Sequence, residues 1–201
     1  MTCIDELRAH FPILGRKIYG KSLVYFDNAA TSQRPQSVID KWDDFTRTQN
    51  ANIHRGIHCL SEEATTQFEA ARDAVREFIN AGHREEIIFT SGATASINLV
   101  AFSFGEAFVG EGDEVIVSEA EHHSDIVPWQ MMCQRKKAQL KVLHVDDKGL
   151  LQVSELETLI TSKTKIIAVA HISNVLGIVN PIAKIVSLAH SHGVPVLVDG
   201  A

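Results

Sequence analysis

From Glu86 onward the chain alternates short β-rich runs with stretches whose apolar residues recur at helical spacing. The runs are Ile87 to Thr90, Glu114 to Ser118, Leu140 to Val145, Lys165 to Ala170 and Pro195 to Asp199. Several are apolar throughout, as strands buried on both faces are. Such alternation predicts βαβ units, and hence an α/β fold with a mostly parallel sheet flanked by helices. Between the runs, Ser154-Glu155-Leu156-Glu157 reads as a capping box opening a short helix. Pro181 and Gly193 bracket another helix, with Ile182, Ile185, Val186 and Ala189 on one face. Upstream, a helix capped by Ser61 carries Ala64, Phe68, Ala71, Val75 and Phe78 on its inner side and ends near Ala81-Gly82. A helix from Gln36 to about Thr48 buries Val38, Ile39, Trp42 and Phe45. With no internal repeat or linker, residues 1–201 read as one domain with an N-terminal arm.

Composition narrows the function class. The chain has 201 residues, 45% hydrophobic and 22% charged, which suits a globular protein with a sizeable core. A formal net charge of -6 argues against a nucleic-acid or anionic-membrane partner. No apolar run approaches the roughly 20 residues that cross a bilayer, and Asp5 and Glu6 stand where a signal peptide would be apolar, so a cytoplasmic location is expected. Cys3, Cys59 and Cys133 are widely spaced with no CxxC pair, which fits reduced thiols. A metal site on His54/His58 or His122/His123 is a poor reading, because HExxH is absent and no ligand set converges.

Four strand-to-loop junctions carry candidate chemistry. Ser91-Gly92-Ala93-Thr94 leads into a helix, so backbone N–H groups and a hydroxyl converge on an anion site; an ordinary capped turn fits the same tetrapeptide. His122, in Glu121-His122-His123-Ser124, can stack on an aromatic ligand and move protons, or simply face solvent. Asn174 follows the run Lys165 to Ala170, where its amide can hold a ligand oxygen or make a turn. Asp199 ends the last run, placed to pair with a pyridinium nitrogen or to cap the next turn. Loops that follow parallel strands open on one edge of a sheet, so all four can face one crevice.

YFDNAAT (25–31), HRGIH (54–58), SGAT (91–94), EHHSDIVPWQ (121–130), HISNVLG (171–177) and VLVDGA (196–201) occur in this order. The chain resembles SUF-type cysteine desulfurases, within the class V aminotransferase group of PLP (pyridoxal 5'-phosphate) enzymes, from about Phe11 to Ala201; HRGIH and EHHSDIVPWQ are its most specific motifs. The resemblance implies an incomplete PLP-dependent transferase large domain with an N-terminal arm. It implies that Ala93 and Thr94 bind the cofactor phosphate, that His122 stacks on the ring as the catalytic residue, that Asn174 contacts the ring hydroxyl and that Asp199 pairs with the ring nitrogen. It places Ala29, Ala30, His54 and Arg55 near the substrate entrance.

The activity so implied converts L-cysteine to L-alanine and leaves a persulfide on an enzyme cysteine. The sulfur serves iron–sulfur cluster assembly, in a homodimer that works with a sulfur-acceptor protein of the SUF system. In such enzymes the lysine that holds the cofactor follows the Asp-Gly-Ala segment by roughly two dozen residues, and the persulfide cysteine lies further on, so neither falls within residues 1–201. Cys3, Cys59 and Cys133 match neither its motif nor its place, and these residues alone are expected to be inactive. The family's sheet order is 3-2-4-5-6-7-1, with strands 6 and 7 also beyond Ala201. Two other readings are a non-catalytic remnant or partner-binding fragment, and another class V enzyme such as selenocysteine lyase.

Overall fold

A computed structural model describes residues 4–201, so Cys3 lies outside the described residues. The chain divides into two compact units, Met1–Phe89 and Thr90–Ala201.

The first unit is helical. α1 (Ile4–Ala9) leads through a 3₁₀ turn (Pro12–Gly15) to a hairpin of β1 (Lys17–Ile18) and β2 (Lys21–Ser22). Its two linking residues, Tyr19 and Gly20, both adopt positive φ, which matches the twist of a two-residue hairpin. Arg8 pins this arm by donating to the carbonyls of Leu14 at 3.1 Å and Leu23 at 2.6 Å. α2 (Gln36–Thr48) has the predicted bounds. Its apolar stripe does not sink into a core: Val38, Ile39 and Trp42 are exposed within the unit. Val38 and Trp42 face a groove of about 720 Å³ shared with Ala64 and Phe68 of α3 (Cys59–Phe78), because one neighbouring helix cannot enclose a stripe this wide.

The cap of α3 is His58, whose Nδ1 accepts the Ser61 N–H at 3.4 Å. Ser61 lies inside the first turn, and its hydroxyl donates back to Asn52 O at 2.6 Å. A serine's hydroxyl identifies a cap only when it faces its own helix, which sequence does not show. α3 ends at Phe78, with Asn80 in the left-handed region ahead of Gly82.

Ile87 to Thr90 is extended but is not a strand, since no described strand pairs with it. β-propensity makes a strand only where a ladder partner takes its backbone groups.

The second unit is a helix-covered parallel sheet. α4 (Ala93–Phe108), β3 (Glu114–Ser118), a 3₁₀ turn (His123–Asp125), α5 (Val127–Lys136), β4 (Gln139–Leu143), α6 (Val153–Leu159), β5 (Thr164–Ala170), α7 (Ile182–Ser191) and β6 (Val196–Asp199) follow in order. α6 starts at Val153 with Gln152 before it and no side-chain cap, so Ser154 is not the cap the pattern suggests. Pro181 does precede α7, and Gly193 follows it at φ 71°.

Among the described residues the strands form a four-stranded sheet of order β4-β3-β5-β6, every pair parallel. This is the 3-2-4-5 portion of the implied order. The period of two then divides each buried strand between two cores. Ile116, Ile167, Val169 and Leu143 pack with Leu156 of α6 and with Ile185 and Ala189 of α7. Val115, Val117, Ile166 and Ala168 pack with Ala101 of α4 and with Trp129, Met132 and Cys133 of α5. Helices therefore cover both faces, which leaves the carboxyl ends of the strands as the open edge. No helix among the described residues is long and apolar enough to cross a membrane.

Candidate functional site

One anion-attracting feature at that edge is the start of α4. Gly92 precedes it at φ 150° and ψ 174°, a region open in practice to glycine alone. The turn is braced by Thr90, whose Oγ1 accepts the Gly92 N–H at 3.3 Å and lies 2.7 Å from Ser96 Oγ. The first helical amide bond runs from Ser96 N–H to Gly92 O at 3.0 Å, so the N–H groups of Ala93, Thr94 and Ala95 precede the bonded ladder and point out of the helix end. Together with the helix dipole they make a terminus suited to phosphate.

A cavity of about 400 Å³ joins this terminus to the end of β6. Ala93, Ser96, Ile97 and Val100 of α4 form one side, and Leu197, Val198, Asp199, Gly200 and Ala201 the other. Asp199 is half-buried, accepts the Ala201 N–H on Oδ1 at 3.1 Å, and is held in register by its carbonyl, which accepts the His171 N–H at 2.7 Å. An apolar slot of this volume, with phosphate donors at one end and a carboxylate at the other, fits a flat, phosphorylated, cationic heterocycle. The residues present thus suit pyridoxal phosphate.

His122 and Asn174 stand at the carboxyl ends of β3 and β5, exposed and outside the lining of that cavity. The His122 Nδ1 accepts the Ser124 N–H at 3.2 Å and lies 2.7 Å from Ser124 Oγ, which places the ring proton of a neutral imidazole on Nε2. The structure therefore joins Ala93 and Asp199, sets Thr94 beside Ala93, and leaves His122 and Asn174 on neighbouring loops.

Ala29, Ala30, His54 and Arg55 belong to the first unit. Ala29 and Ala30 lie in a turn closed by the Ala30 N–H to Asp27 O at 3.2 Å. His54, at φ 66°, pairs with Glu69 at 3.4 Å and meets Phe68 edge-on. The Arg55 N–H donates to Ile53 O at 2.9 Å.

Two acidic residues of this edge were not singled out by sequence. Glu121 and Asp125 flank the His122 segment, 9% and 0% exposed. Burial, reinforced by Asp199, raises the Glu121 carboxyl above the usual carboxylate range, and burial together with Glu121 and Asp199 pushes Asp125 up to about 8. The available signal was the spacing: an Asp four residues before Trp129 on the way into α5 can take the indole N–H.

Neither described cysteine is activated by a lowered thiol pKa. Burial pushes the Cys133 thiol up to about 11, and a hydrogen bond to Glu63 raises Cys59. No group of three or more His, Cys, Asp or Glu among the described residues is arranged to hold a metal ion.

Comparison with known proteins agrees with the α/β architecture. The aminotransferase class V family matches residues 24–201. A probable cysteine desulfurase of Halalkalibacterium halodurans is 48% identical over 196 residues, covering 98% of this chain and 48% of that protein. The apo structure of a cysteine desulfurase from Thermococcus onnurineus superposes with a TM-score of 0.90 at 36% identity, over 100% of this chain and 48% of that one. The cysteine desulfurase CsdA from Escherichia coli gives 0.84 at 36% identity, over 100% and 49%. The chain spans about half the length of the curated relatives it matches.

Proposed function

The chain belongs to the class V aminotransferase family, and from that premise we propose that it supplies the cofactor-binding half of a SUF-type cysteine desulfurase, converting L-cysteine to L-alanine and a protein-bound persulfide. The observation that carries this reading is the single cavity between the start of α4 and the end of β6, lined by Ala93 and Asp199. The motifs HRGIH and EHHSDIVPWQ support the SUF type.

When bound, pyridoxal 5'-phosphate supplies the electron sink that α-proton removal needs. The chain's own part is to bind and orient it. The amides opening α4 and the Thr94 hydroxyl hold the phosphate, where dipole and hydrogen bonds act together. The Asp199 carboxylate accepts the ring N–H and keeps that nitrogen protonated. The His122 imidazole would stack on the ring, and the Asn174 amide would hold the ring hydroxyl. Family likeness alone supports a substrate-entrance role for Ala29, Ala30, His54 and Arg55. A homodimer in the cytoplasm that passes sulfur to an acceptor protein for iron–sulfur assembly completes the proposal.

The test uses the protein expressed from its complete reading frame, incubated with pyridoxal phosphate and L-cysteine. Equimolar alanine and reductant-released sulfide are expected. Bound cofactor with no alanine, or turnover of selenocysteine alone, would overturn the cysteine assignment.

A further inference from the structure

Glu121 and Asp125 bracket the segment that carries His122, and each has one oxygen accounted for and one not. Glu121 Oε1 accepts the Ser118 hydroxyl and the Ala170 N–H, the latter at 2.9 Å. Asp125 Oδ1 accepts the Trp129 indole N–H at 3.0 Å. Glu121 Oε2 and Asp125 Oδ2 are both buried with no donor, although the two carboxyls lie within hydrogen-bonding reach of each other. Two bare anionic oxygens buried side by side are costly, because desolvation and repulsion add. One proton removes the repulsion and one of the two buried charges: it turns one acceptor into a donor and satisfies the other.

We propose that Glu121 and Asp125 share one proton between Oε2 and Oδ2, and that this bridge is the device that positions His122. Asp125 carries the proton, since Glu121 already receives two donors that favour its anion and Asp125 receives one. The bridge ties the start of the His122 segment, anchored to β3 through Ser118 and to β5 through Ala170, to its end, anchored to α5 through Trp129. The charged group that faces the pair from another element is Asp199 of β6. Ser118, Ala170 and Trp129 contribute neutral donors, and α4, which also packs against this turn, has no charged side chain from Ala93 to Gly105. Burial pushing Asp125 up to about 8 agrees with a proton retained at neutral pH.

The bridge itself follows from the geometry; its value for catalysis rests on the reading of His122 as the residue over the cofactor ring. The test combines infrared spectroscopy with imidazole NMR on the purified protein without added cofactor. A protonated-carboxyl C=O band is expected at pH 6, lost in Asp125→Asn and lost in the wild type well above pH 8. The His122 resonances should show an alkaline step near pH 8 in the wild type. That step should vanish in Asp125→Asn, whose amide donates to Glu121 without titrating and keeps the neutral-pH signals native-like. In Asp125→Ala the same signals should shift and broaden. An Asp125→Asn spectrum that retains the band, or a His122 alkaline step unchanged in that variant, overturns the proposal. A wild type that shows band and step yet binds no pyridoxal phosphate sinks the functional reading and leaves the bridge supported.

Discussion

Replacing Gly105 by alanine sets two effects of known size against each other. Gly105 sits inside α4 against α5, and a Cβ added there would lie 2.6 Å from Met132 Cγ, 3.1 Å from its Sδ and 3.5 Å from its Cε. Alanine in place of a helical glycine favours folding by about 1 kcal/mol. Overpacking in a dense core costs about 1 to 3 kcal/mol. The nearest atom decides the balance: Cγ is close to the root of a side chain that is 1% exposed, so rotating the thioether end does not clear it. Gly105→Ala should therefore destabilise by about 1 kcal/mol net, read as a lower urea midpoint at unchanged slope. Met132→Ala alone should cost about 2 to 5 kcal/mol through the cavity it leaves. The double variant should cost less than the two together by about 1 kcal/mol or more, because the new methyl enters the vacated space. A Gly105→Ala variant stabilised by about 1 kcal/mol, or a strictly additive cycle, would refute the close α4–α5 contact.

Three further outcomes follow from the carboxyl edge. Asp199→Asn keeps size and hydrogen bonding while removing charge, so in the complete protein turnover should fall at least about tenfold, or ~1.4 kcal/mol in the barrier, with phosphate anchoring retained; near-normal turnover would sink the electronic role. Gly92→Ala meets no atom within 4 Å but must hold φ at 150°, a strain of about 1 to 3 kcal/mol. Pyridoxal phosphate affinity should drop by about fivefold or more in a fluorescence titration, and unchanged affinity would show that the turn is not the phosphate cradle. Burial pushes the Asp125 carboxyl from its ordinary 3.8 up to about 8, so the native state should hold a proton there that the unfolded chain releases, and stability should fall as pH rises across that window. Asp125→Asn should flatten that slope in urea titrations from pH 5 to 8.

The sheet was readable because its strands report themselves locally. Val115 and Val117 face one core and Ile116 the other, so a run apolar at every position signals burial on both sides before any partner is known. Ile87 to Thr90 carries the same local signal and forms no ladder, since pairing depends on a chain neighbour that no local pattern encodes. Two helix caps were misplaced for a related reason: Ser61 and Ser154 have cap chemistry, but the Ser61 hydroxyl turns to Asn52, and α6 opens one residue before Ser154.

The candidate site divides along the same line. The anion-binding turn is a local device, legible in Ser91-Gly92-Ala93-Thr94, and the carboxylate of Asp199 is legible as the end of a buried run. That the two line one cavity follows from parallel order, with Asp199 opposite Ala170 across the β5–β6 pair. Glu121 and Asp125 were silent because a sequence shows two acids around two histidines, a pattern most often solvated. Only the packing of Ser118, Ala170 and Trp129 around them reveals that each has a single bare oxygen. A shared proton is therefore a property of the assembled edge, in which three carboxyls from β6 and the His122 segment lie together. It lowers the negative charge there by one, leaving Glu121 and Asp199 anionic, and it fixes the backbone on either side of the imidazole that would cover that ring.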